Sequence, residues 1–357
     1  MFKTCLPLAL VLLLGCPPPP PPCQGGECPD LKADPPDAAP GDAATPPDAS
    51  AADLRPAPDL VAGVPDPGRP GPRRTVRFDL RVPVAPGGLL DVTVIGPSED
   101  GRTLSRSGAP FPVVIISPGF TLPRTQFAGY GERLASHGLL AVLQKARNET
   151  DHVQYRDDTI RLLDWLGAPT GPDASRLEGR ADVNRAGVCG HSLGGKISYL
   201  VAARDRRIRG VIGIDPVDGG GFGMAPTARE ALPSVRLPPG IAIGFLGQTI
   251  SKSGLMPCTP ADRNYEVLYA AAPAPAFAIT FVGAAHNDFV DDFGSCFQCG
   301  FCPGSTAPRE RTRDLAIRYV TAYFLKALAG IAGAEDYLSG EAFQRDVMSG
   351  AVTRQAK

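Results

Sequence analysis

The chain has 357 residues, 43% hydrophobic and 20% charged, which is enough apolar side chain for a substantial core. Its 36 Lys+Arg and 37 Asp+Glu leave a net charge of -1, so no basic excess recruits nucleic acid and no acidic block forms a solvating tail. About half of the 39 prolines precede Thr75, which sets a proline-rich front apart from an ordinary globular remainder.

In chain order, Lys3 precedes an apolar run from Leu6 to Leu14 that is too short to span a bilayer. The run ends Leu13-Leu14-Gly15-Cys16, which resembles the lipobox of bacterial lipoprotein signal peptides. That resemblance implies removal of residues 1–15, lipidation of Cys16 and an exported protein anchored by lipid to a membrane of the bacterial cell envelope. Pro17 to Pro22 and the looser Pro-Pro-Asp-Ala pieces up to Pro72 have almost nothing to bury. Residues 16–74 therefore read as a disordered, PPII-rich stalk, in which Cys23 and Cys28 can close a local disulfide loop.

From Thr75 the pattern becomes globular. Val76 to Leu80 and Leu90 to Val94 alternate with period two, as half-buried antiparallel strands do. Pro112 to Ile116 is a continuous apolar run, the mark of a strand covered on both faces. A helix is expected over Gln126 to His137, a strand over Leu139 to Leu143 and a helix over Tyr155 to Leu166. The alternation continues with strand Arg185 to Cys189, helix Leu193 to Ala203 and strand Ile208 to Ile214. Strands Ile241 to Leu246 and Phe277 to Val282 follow, then a long helix over Arg313 to Leu328. This predicts one α/β domain over 75–345, a mainly parallel central sheet with helices on both faces, and a tail at 346–357.

Gly190-His191-Ser192-Leu193-Gly194 places G-x-S-x-G between a predicted strand and a predicted helix, the context of a nucleophile elbow. Ser192 is thus the candidate nucleophile, on a strained turn that its flanking glycines leave open. A serine hydroxyl needs a base, and the chain has only four histidines. His191 adjoins the serine, and His137 and His152 precede the elbow. The order Ser, acid, His therefore selects His286, just beyond the last parallel strand. The oxyanion donors are expected to be the N–H of Leu193 and, from Ser117-Pro118-Gly119-Phe120-Thr121, that of Phe120, with Gly119 second. For the acid, Asp215 stands at a strand end, with Asp218 and Asp262 as rivals and Asp288 too close in sequence to His286.

These pieces together resemble chlorophyllases of the α/β-hydrolase superfamily. The matching stretches are Gly190-His191-Ser192-x-Gly194-Gly195-Lys196, Ile212 to Val217, Pro257-Cys258-x-Pro260 with Asn264, and His286-x-Asp288 with Asp291-Asp292. They span about 110–295. The resemblance implies the α/β-hydrolase fold, and it makes the Asp of Asp215-Pro216-Val217 the triad acid. Plant members carry Arg after the serine, where this chain has Leu193. The expected activity is serine carboxylic-ester hydrolysis through an acyl-enzyme on a hydrophobic, lipid-like or small ester, with no cofactor, no metal and no nucleic-acid partner. The alternatives are a lipase, polyesterase or phospholipase-like hydrolase, or an inactive surface-binding lipoprotein. Cys296, Cys299 and Cys302, with Cys258, have spacing that suits zinc, but an exported protein favours disulfides, staples for the loop near His286. Cys189 is expected to be a buried small hydrophobe.

Overall fold

The computed structural model describes residues 64–84, 88–219, 236–253 and 257–357. The expected leader, Cys16, Cys23, Cys28 and the stalk up to residue 63 lie outside these residues. Among those described, no helix is long and apolar enough to cross a membrane.

Two antiparallel strands come first, β1 (Arg74–Val84) and β2 (Gly88–Ser98), and β1 alternates exposed and buried residues as its period-two pattern requires. Next come β3 (Phe111–Ser117) and β4 (Leu140–Gln144), whose residues are all buried because layers cover both their faces. Parallel pairing then runs through β5 (Ala181–His191), β6 (Ile208–Ile214), β7 (Ala242–Gln248) and β8 (Phe277–Phe281). The resulting nine-stranded sheet has the order β1-β2-β4-β3-β5-β6-β7-β8-β9.

The last strand, β9 (Val352–Ala356), corrects the expected tail at 346–357, since it pairs antiparallel with β8. Its sequence Val-Thr-Arg-Gln-Ala carries no apolar run. An edge strand needs only ladder hydrogen bonds and one buried residue, so hydrophobic periodicity does not reveal it.

Helices cover both faces. On one side α1 (Ala128–Ser136), α6 (Arg309–Ala327) and α7 (Glu341–Met348) bury Leu134, Val320 and Phe343 against Ile116 and Ile279. On the other, α2 (His152–Gly167), α4 (Leu193–Arg204) and α5 (Tyr265–Ala271) bury Leu163, Ile197 and Leu268 against Val113 and Val211. A four-residue turn of helix, α3 (Ala174–Leu177), precedes β5. Helix α2 begins one turn earlier than its apolar spacing suggests, because the Asp151 side chain accepts a hydrogen bond from the Gln154 N–H and caps it. The topology brings the C-terminal ends of β3, β5, β6 and β8 to one rim of the sheet.

Candidate active site

At that rim β5 ends and α4 begins with Ser192 between them, at φ 54° and ψ -118°. A serine is strained in the left-handed region, and such strain persists only where the surroundings hold it. Here the Ser192 N–H donates to the Ile214 carbonyl at 3.0 Å, and the Ser192 carbonyl accepts from Lys196 and Val217. The flanking glycines are sterically required. A Cβ on Gly190 would lie 2.4 Å from the Gly194 backbone, and one on Gly194 would lie 2.1 Å from the Ser117 carbonyl oxygen. Ser192 itself stays half-buried, within reach of a solute. Only two other non-glycine residues among those described have positive φ, Thr121 at 63° and Asp215 at 44°. Both sit on the segments that expectation assigns to the oxyanion hole and the acid.

Asp215 follows β6 and is fully buried, with its N–H bound to the Leu246 carbonyl at 2.8 Å. Its Oδ2 accepts a 2.7 Å hydrogen bond from His286 Nδ1. A neutral imidazole carries one proton, so a protonated Nδ1 leaves Nε2 with a free lone pair. Burial pushes the His286 imidazole below its ordinary range and the Asp215 carboxyl above its own. The other carboxylates are engaged elsewhere. Asp218 pairs with Lys196 Nζ at 2.8 Å, and Asp262 pairs with Arg263 at the surface. Asp288 accepts from the Ala285 N–H at 2.7 Å and pairs with Arg309, which anchors the turn that carries His286.

The loop after β3 crosses the elbow so closely that a Cβ on Gly119 would lie 3.3 Å from the Ser192 Cβ. The N–H groups of Phe120 and Leu193 make no hydrogen bond among the described residues. The neighbouring Thr121 N–H is taken by Glu149 Oε2 at 2.8 Å. Two unsatisfied donors beside a strained serine can receive a developing negative oxygen.

The PET hydrolase-like family profile matches residues 103–224, which include the β3 loop, the elbow and Asp215. With the mostly parallel sheet and its strand–Ser192–helix turn, that match decides the architecture. The fold is that of the α/β-hydrolases. Among curated proteins, the chain is similar to Chlorophyllase-2 of Arabidopsis thaliana, 26% identical over 196 residues, which are 51% of this chain and 61% of that one. It is similar to bis(hydroxyethyl) terephthalate hydrolase of Streptomyces coelicolor, 36% identical over 33% of this chain and 36% of that one. A cutinase of Thermobifida alba is 28% identical over 31% of this chain and 37% of its own. The chain thus spans less than two thirds of the length of each of these relatives.

Three supports of this α/β-hydrolase site escape sequence reading. The Nε2 of His191 donates to the His286 carbonyl oxygen at 2.7 Å, and the two rings lie 4.4 Å apart. Burial, with the nearby His286, pushes the His191 pKa down to about 3, so the ring is neutral. Lys196 and Asp218 form a buried ion pair between α4 and the segment after Asp215. Ser251 Oγ accepts from the His286 N–H at 2.9 Å. His191 lies in the elbow motif and Lys196 two residues beyond it, but their partners lie on the segments that follow β8 and β6, so no local signal identifies them.

The four downstream cysteines pair as Cys258–Cys302 and Cys296–Cys299. Asn287, next to His286, donates to Cys302 Sγ at 3.1 Å, so the crosslinks brace the loop that holds the imidazole. Cys189 is free and buried, and burial raises its thiol well above its ordinary value.

Proposed function

We propose that the chain is a serine carboxylic-ester hydrolase that works through an acyl-enzyme. Ser192 Oγ attacks the ester carbonyl while His286 Nε2 takes its proton, and Asp215 stabilises the imidazolium that forms. The N–H groups of Leu193 and Phe120 receive the oxyanion. His286 then returns the proton to the departing alkoxide, which leaves as alcohol. Water, deprotonated by the same imidazole, attacks the acyl carbonyl and releases the acid. The observation that carries this reading is the 2.7 Å contact between His286 and Asp215 beside a serine strained at a strand-to-helix turn.

The substrate proposed is a hydrophobic ester, aromatic or long-chain. Support comes from relatives whose names specify a chlorophyllase, a terephthalate ester hydrolase and a cutinase, and from the half-buried apolar Phe120 on the loop beside Ser192. The leader and Cys16 support a further proposal, that the enzyme is exported and held by lipid at a membrane of the cell envelope.

A fluorophosphonate probe tests the mechanism. It is expected to label the full chain and to lose that labelling in Ser192→Ala; equal labelling of both would discard the assignment. A panel of p-nitrophenyl esters and polyester films then ranks the substrate classes.

A further inference from the structure

A polar cavity of about 480 Å³ opens far from the catalytic rim. Its walls come from the loop between β2 and β3, from Phe78 on β1 and from the segment that enters β5. Arg180 precedes β5 and Ser192 follows it, so the length of an eleven-residue strand, about 35 Å, separates the two sites.

Four arginines line the cavity, Arg102, Arg106, Arg176 and Arg180. Arg180 is 9% exposed; its Nη1 donates to the Glu178 carbonyl oxygen, and its buried Nε has no acceptor. The side chains of Arg102 and Arg106 make no hydrogen bond or ion pair among the described residues. Arg176 lies over the Phe78 ring at 3.7 Å, with Asp173 3.6 Å from its fork.

The acidic residues on the same wall are occupied. Asp100 accepts from the backbone N–H groups of Arg102 and Thr103 and from two hydroxyls, which closes its own turn. Glu99 accepts from Ser105 Oγ. The lining therefore sets four guanidiniums against the two carboxylates of Glu99 and Asp100, both already held by hydroxyl or backbone donors, and keeps a positive balance. Burial and the nearby Arg106 both lower the Arg180 pKa, with only the exposed Glu178 carboxylate acting in the other direction. A buried guanidinium N–H without an acceptor, as at Arg180 Nε, is costly, and a bound oxyanion can supply that acceptor.

We propose that this cavity is a binding site for a phosphate-bearing anion. A tetrahedral group carrying up to two charges offers acceptors to several guanidinium forks at once, whereas a single carboxylate satisfies one. The volume admits more than the bare ion, so a phosphomonoester or a phospholipid headgroup fits the same chemistry. The chain enters β1 at Arg74 on this same end of the sheet, beside the cavity.

The test uses the full chain and the variants Arg102→Ala/Arg106→Ala, both at exposed positions, and Arg180→Met. Inorganic phosphate, against chloride at matched ionic strength, is expected to raise the melting temperature of the parent chain. Binding should weaken about tenfold for each guanidinium removed. Hydrolysis of a soluble ester should stay uninhibited by phosphate and unchanged in the Arg102/Arg106 variant, because the site is remote from Ser192. Sedimentation with phosphatidylglycerol against phosphatidylcholine vesicles separates the sources. A difference between parent and variant specific to phosphatidylglycerol assigns a headgroup, and phosphate binding without it assigns a soluble phosphate ester. If neither phosphate nor phosphatidylglycerol distinguishes the parent chain from the Arg102/Arg106 variant, the proposal is overturned.

Discussion

His191 Nε2 holds the carbonyl oxygen of His286 at 2.7 Å, so the residue before the nucleophile fixes the backbone of the proposed base. This makes His191 a positioning residue. In His191→Phe a ring remains, but the donor is gone and a buried carbonyl loses its partner, at about 1–3 kcal/mol. The expected outcome is a kcat lowered about tenfold to a hundredfold with KM little changed. Steady-state kinetics on a soluble ester check it, and an unaltered kcat would refute the role.

The three carboxylates near the elbow should respond in three different ways. Asp215→Asn removes the acceptor for His286 Nδ1 and favours the wrong tautomer, with an expected loss in kcat of about 10⁴. Asp262→Asn alters a surface pair with Arg263 and should leave the rate within about twofold, since exposed pairs contribute little. A larger loss for Asp262→Asn than for Asp215→Asn would reverse the assignment.

Asp218→Asn should act on stability. It leaves Lys196 buried without its carboxylate, and breaking a buried pair typically costs about 3–5 kcal/mol. Urea unfolding measures this. The prediction fails if the denaturation midpoint does not move.

The pH profile follows from the lowered His286 pKa. The base works in its neutral form, and burial disfavours the charged form, so protonation requires a more acidic solution than for a free imidazole. The acid limb of kcat/KM is therefore expected below the ordinary histidine value of about 6.5. A limb above that value would contradict the burial argument.

Crosslinking should matter to both stability and rate. The Cys258–Cys302 bond closes a loop with a sequence separation of 44, for which chain entropy predicts about 4 kcal/mol. Because Asn287 touches Cys302, Cys258→Ala/Cys302→Ala should also lower kcat by loosening the turn at His286. Thermal melts and kinetics under the same conditions read both effects. A variant as stable and as active as the parent would show the crosslink to be incidental.

Much of the architecture was legible because its signals are local. Ile115 and Ile116 advertise a strand covered on both faces, and Gly190-x-Ser192-x-Gly194 at a strand-to-helix junction marks the elbow. The same logic explains the omissions. Helix α5 is only seven residues long, and β9 buries little beyond Val352, so neither shows a periodic pattern strong enough to read. Helix α6 starts four residues before its apolar stripe because its first turn, Arg309 to Thr312, is mostly charged.

By itself the sequence determined the layered α/β plan, the strained serine and the candidate imidazole, because periodicity, glycine spacing and chain order act within a few residues. Tertiary structure alone decided what His191 holds, how the four downstream cysteines pair and that four arginines share one cavity, and it brought Asp215, the acid favoured from sequence over Asp218 and Asp262, to His286. Those partners are brought together across strands, as Asp215 and His286 are over 71 residues. Such pairings arise from sheet register and layer packing, which bring residues remote in sequence within hydrogen-bond distance and leave no trace in local spacing.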